Sequence, residues 1–86
     1  MFTEEEFMAE ERMIKLREIQ DVHEFVKLAD ACDFDVNIGY GRISIDAKSI
    51  VGVMGLDLGR PLRVDYDGTN EALTAFLKNH EYVKES

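Results

Sequence analysis

Phe34-Asp35-Val36-Asn37-Ile38-Gly39-Tyr40-Gly41-Arg42-Ile43-Ser44-Ile45-Asp46 is the stretch that decides the fold. Phe34, Val36 and Ile38 alternate with Asp35 and Asn37, and Ile43 and Ile45 alternate with Arg42, Ser44 and Asp46. A period of two places the apolar residues on one face of a strand and the polar ones on the other. Gly39-Tyr40-Gly41 supplies a turn between the two runs, so the segment is expected to form a β-hairpin. A sheet with one wet face is antiparallel and covered on one side only.

The alternation recurs on both sides of this hairpin. From Met13 to Ile19, Ile14 and Leu16 stand against Lys15 and Arg17; after a break at Gly59-Arg60-Pro61, Leu62, Val64 and Tyr66 alternate with Arg63 and Asp65. Helical spacing fills the intervals. Asp21 is the expected N-cap of a helix carrying Val22, Phe25, Val26 and Ala29, with Leu28 and Cys32 alongside. Ser49 caps a short helix, and Thr69, after the Asp67-Gly68 turn, caps one that runs through Leu73, Phe76 and Leu77 to about His80. The order β-α-β-β-α-β-α, with three helices on the apolar side of a four-stranded antiparallel sheet, predicts an α+β open-faced sandwich. Ahead of it, Thr3-Glu4-Glu5-Glu6 fits a capping box, with Phe2 and Phe7 placed as a hydrophobic staple. Residues 1–11 therefore read as an acidic extension, either a short helix over 4–11 or a frayed tail, and residues 12–86 as the domain.

Charge narrows the function classes. Eighteen acidic against ten basic residues give a net charge of -8 over 86 residues. Phosphate backbones and anionic membranes both select basic faces, and none is visible, so neither nucleic acid nor a membrane surface is an expected partner. No apolar run approaches the roughly 20 residues that span a bilayer, and the acidic start is unlike a signal peptide. Cys32 is the single cysteine; it has no internal disulfide partner, which fits a reducing cytoplasm. One cysteine and two distant histidines offer no metal-ligand spacing, and no cofactor is implied.

Lys48-Ser49-Ile50-Val51-Gly52-Val53-Met54-Gly55-Leu56 has more apolar surface than a short helix on one sheet can bury. Val53 and Leu56 fall on one side of a helical wheel, while Ile50, Val51 and Met54 crowd another. The surplus face suggests docking. Ser49 at its start is a place where an added phosphate is well tolerated. Without a partner, Ser49 is only a cap and Met54 only fills the core.

Taken together, the element order, the run Cys32-Asp33-Phe34-Asp35-Val36-Asn37-Ile38 and above all Lys48–Leu56 resemble the HPr family, the small phosphocarriers of the sugar phosphotransferase system. The likeness covers roughly residues 13–80 and is strongest in its middle third. It implies that Ser49 is the regulatory serine modified by HPr kinase/phosphorylase, and that Ile50, Val51 and Met54 form the partner-binding patch. The implied partners are proteins of the phosphotransferase or carbon-regulation network.

The phosphocarrier site departs from that pattern. The family places a phosphoacceptor histidine before the first helix, followed after one residue by Arg-Pro. Here Glu18 takes the place of the histidine, Gln20 that of the arginine and Asp21 that of the proline. The expected function is thus that of a non-phosphotransferring binding protein rather than an enzyme, similar in this respect to the catabolite-repression HPr paralogue. The alternative is an active phosphocarrier, fed from phosphoenolpyruvate through enzyme I, that uses His23 as a displaced acceptor. His23 also reads as a solvated surface residue, and His80 as a helix-end residue that complements the dipole.

Overall fold

A computed structural model describes residues 10–83. Strand β1 (Glu10–Ile14) is followed by helix α1 (Ile19–Asp30), β2 (Val36–Tyr40), β3 (Ile43–Asp46), α2 (Ile50–Met54), β4 (Leu62–Tyr66) and α3 (Glu71–Asn79). The four strands form one antiparallel sheet in the order β1-β4-β2-β3. The expected α+β open-faced sandwich is the observed fold.

Register follows from which residues must be dry. Val64 pairs with Ile38, and Ile38 with Ile45; Leu62 pairs with Ile14 and Tyr66 with Val36. These side chains meet Val22, Phe25 and Ala29 of α1, Val53 of α2, and Leu73, Phe76 and Leu77 of α3 in one core. Phe25 and Phe76 bring α1 and α3 together with ring centroids 5.9 Å apart. The opposite face carries a row of Glu11, Asp65, Asn37 and Asp46, and beside it Met13, Arg63, Gly39 and Ser44. A one-residue slip of any strand exchanges these two sets.

Several boundaries differ from those expected. The first strand is Glu10–Ile14 rather than Met13–Ile19. Its ladder with β4 ends at the Ile14–Leu62 pair, next to Pro61, which has no N–H to extend it. The Lys15 N–H instead donates to the His80 carbonyl at 2.9 Å. Leu16 stays buried beyond the strand end, so the alternation continues in extended chain. Of the helix expected over 4–11, Glu10 and Glu11 lie in β1 and the rest falls outside the described residues.

The hairpin turn is Gly41-Arg42, not Gly39-Tyr40-Gly41. Tyr40 pairs with Ile43, leaving two residues in the loop, and Gly41 has φ 58°. A glycine at the first central position suits a II′ turn, which matches the twist of the strands it joins. Gly39 lies in β2, where the Ile43 carbonyl occupies the space a side chain would need. The N-cap of α3 is Asn70, not Thr69: Asn70 Oδ1 accepts the Leu73 N–H at 2.9 Å. Asparagine ranks above threonine at this position, and Thr69 is left in the connection. The N-cap of α1 is Glu18, and Asp21 is the third helical residue.

Candidate functional site

Helix α2 is five residues long and held at both ends by short-range bonds. Ser49 is its N-cap, with Oγ accepting the Gly52 N–H at 3.2 Å. The turn before it is fixed by Asp46, whose Oδ1 accepts the Lys48 N–H at 2.9 Å and whose carbonyl accepts the Ser49 N–H at 3.1 Å. At the other end Gly55 N–H reaches the carbonyls of Val51 and Gly52. Gly52 itself sits close against Ile45 and Ser49, where an added Cβ would be tightly packed.

With both ends fixed, the helix can turn only one side to the sheet. Val53 is fully buried and Leu56 follows it into the core, while Ile50 is half-buried against the same cluster. Val51 is 80% exposed and Met54 45% exposed. Val51 and Met54 thus form an apolar surface next to the exposed Ser49. Ile50 contributes less to that surface than the wheel suggests, since part of it packs inward.

Lys48 links this helix to α1. Its Nζ donates to the Cys32 carbonyl at 3.0 Å, just past the end of α1. Arg17, ahead of α1, lines a depression with Leu58 and Gly59, which follow α2. The two helices therefore run antiparallel, side by side. Cys32 is buried, with Sγ donating to the Leu28 carbonyl at 3.4 Å. Burial pushes its thiol up, against the pull of Lys48 and with a smaller push from Asp33.

The start of α1 is organised by Asp21. Its Oδ2 accepts the backbone N–H groups of Arg17 at 3.1 Å and Glu18 at 3.2 Å, and its Oδ1 lies 3.3 Å from His80 Nε2. Partial burial works against ionisation of this carboxyl. The two amides and the His80 ring outweigh it and hold Asp21 below the usual carboxylate range. Glu18 and Gln20 are exposed. His23 is exposed on the second turn of α1, with no hydrogen bond or ion pair to its ring among the described residues.

No protein-family model matches the chain, and no curated protein matches it. No group of three or more His, Cys, Asp or Glu among the described residues is placed to hold a metal ion. No helix among them is long and apolar enough to cross a membrane.

The expected site residues fall into two places. Ser49, Ile50, Val51 and Met54 share α2 and its cap; Glu18, Gln20, Asp21 and His23 lie at the start of α1. The sequence predicts His80 as a helix-end residue and gives no sign of its contact with Asp21. That role is present: His80 caps α3, and its Nδ1 lies 2.9 Å from the Phe76 carbonyl. Nothing in the spacing of two residues so far apart announces the second contact. The one local signal was Glu18-Ile19-Gln20-Asp21, an acidic residue three past a helix cap, which is a capping-box pattern.

Proposed function

We propose that the chain is a non-phosphotransferring, HPr-like regulatory protein that acts by binding a protein partner through the α2 face, with Ser49 as its switch. The carrying observation is the exposure of Val51 and Met54 beside an exposed Ser49. Soluble proteins do expose single apolar residues, but two on one short helix next to a modifiable hydroxyl make a compact docking element. Phosphorylation adds about 1.5 to 2 negative charges, enough to change which partner the apolar face accepts.

The start of α1 supports the non-phosphotransferring half of this reading. The amides of Arg17 and Glu18 are bonded to the Asp21 carboxylate, so a negative charge already sits beside Glu18, the position that the resemblance gives to the histidine. His23 lies further along the helix, where backbone amides are bonded within the helix itself.

The test is incubation of the intact protein with HPr kinase/phosphorylase and ATP, read by mass spectrometry. Gain of one phosphate by the wild type and none by Ser49→Ala is expected. No gain, or an equal gain in the variant, removes Ser49 as the switch. An acid-labile phosphoryl adduct on His23 in the presence of enzyme I would overturn the non-phosphotransferring half.

A further inference from the structure

His80 joins three parts of the chain. Its ring is stacked on Phe76, with centroids 4.0 Å and planes 21° apart. Nδ1 lies 2.9 Å from the Phe76 carbonyl oxygen, one turn back in α3, and Nε2 lies 3.3 Å from Asp21 Oδ1 in the first turn of α1. The backbone continues the connection. The His80 carbonyl accepts the Lys15 N–H at 2.9 Å, Glu81 bridges to Ile14, and the Tyr82 N–H donates to the Met13 carbonyl at 2.8 Å. Residues 80–82 therefore lie along the edge of β1 not taken by β4.

Both groups that the ring meets are acceptors: a backbone carbonyl and an ionised carboxylate have no hydrogen to give. A neutral imidazole carries one N–H and can satisfy one of them. With the proton on Nδ1, the Nε2 lone pair faces the Asp21 carboxylate; with it on Nε2, the Nδ1 lone pair faces the Phe76 carbonyl. Only the imidazolium donates to both at once.

We propose that Asp21 and His80 form a proton-gated latch, in which the charged ring clamps residues 80–82 and the end of α3 to the start of α1, and loss of its proton releases the clamp. Charged groups come from each element around the ring. Asp21 on α1 is in contact with it, and Glu18 lies at the cap of the same helix. Lys15 and Arg17 belong to the β1–α1 connection that is bonded to His80 and Asp21 through its backbone. Lys78 and Glu81 flank the ring on its own segment. Lys15, Arg17, Glu81, Tyr82 and Val83 also line one surface depression. Opening the latch moves one wall of that depression, so its shape depends on pH.

The test uses the full chain and two NMR readouts taken across a pH series. One is the chemical shift of the His80 ring; the other is hydrogen-exchange protection of the Lys15 and Tyr82 amides, corrected for the intrinsic pH dependence of exchange. Protection at both amides is expected to fall about two- to fivefold as pH rises through the titration of the ring, the size of a modest ion pair. The step disappears in His80→Gln and in Asp21→Asn and persists in His23→Gln. Asp21→Asn keeps an oxygen to accept the Arg17 and Glu18 amides, so it decides the matter even if His80→Gln does not fold. Level protection across the ring titration overturns the latch, as does a step that survives in Asp21→Asn.

Discussion

Gly68 packs against the ring of Phe34 with no room between them for a methyl group. Phe34 is in turn set against Tyr66, with ring centroids 6.4 Å apart, and cannot retreat without disturbing the end of β4. Gly68→Ala should therefore destabilise the protein by about 1–3 kcal/mol, the usual cost of overpacking. Urea unfolding followed by circular dichroism measures it. Phe34→Leu in the same background should recover part of the loss by making space, whereas additive losses would place the cost in the turn backbone rather than in the ring contact.

Asp21 makes stability depend on acid. Its folded carboxyl titrates below its ordinary value because, against partial burial, two amides and His80 favour the charge. A lowered folded pKa means the unfolded chain binds the proton more readily, so this contribution is present above the unfolded value, near 4, and is lost as pH falls through the folded one. Asp21→Ala should cost about 0.5–2 kcal/mol at neutral pH, from the loss of its bonds to the Arg17 and Glu18 amides. The difference between wild type and variant should shrink as the pH is lowered through the acid range. Unfolding midpoints measured from pH 7 down to 2 check both; a difference that does not change with pH would deny the carboxylate its role.

The hairpin and the single wet face were legible because a period of two is a local property of a few residues. The apolar surplus of α2 was legible for the same reason: a helix of one and a half turns has only one side to bury. What escaped depends on partners elsewhere in the chain. The first strand lies ahead of its expected place because β4 continues to Tyr66 opposite Glu10, and it stops where Pro61 ends the ladder. Neither limit is written in residues 10–19. Asp21 is a good cap by type, but its carboxylate serves equally well from inside the first turn, so the helix start moved by three residues. The pairing of Asp21 with His80 requires knowing how α3 crosses α1, which no local spacing encodes.

The two sides of α2 should respond oppositely to substitution. Val51→Ser and Met54→Ser change exposed positions and are expected to shift stability by no more than about 0.5 kcal/mol. Val53→Ala removes two fully buried methyl groups and should cost about 2–3 kcal/mol from transfer and cavity together. Thermal and urea unfolding of the three variants distinguish the faces. A large loss in Val51→Ser would mean that this side chain is covered in solution, and the exposed face proposed for docking would not exist in the free protein.

Arg63 ties the open face of the sheet together. Its Nε lies 3.2 Å from Asp65 Oδ2, Nη1 donates to the Gly41 carbonyl at 3.1 Å, and Nη2 donates to the Ile43 carbonyl at 3.2 Å. The guanidinium thus reaches from β4 across β2 to the hairpin turn, over Gly39, its cross-strand partner. Arg63→Met keeps most of the stem but loses every donor, and should cost about 1–2 kcal/mol. Arg63→Lys keeps the charge with a single ammonium that cannot match three acceptors in a fork, so it should recover less than half of that loss. Hydrogen exchange at the β3 amides that bond to β2 gives a second, local readout, because release of the turn loosens β3 before it loosens β4. If Arg63→Lys is as stable as the wild type and β3 exchanges no faster, the charge alone accounts for this residue and the forked geometry contributes nothing.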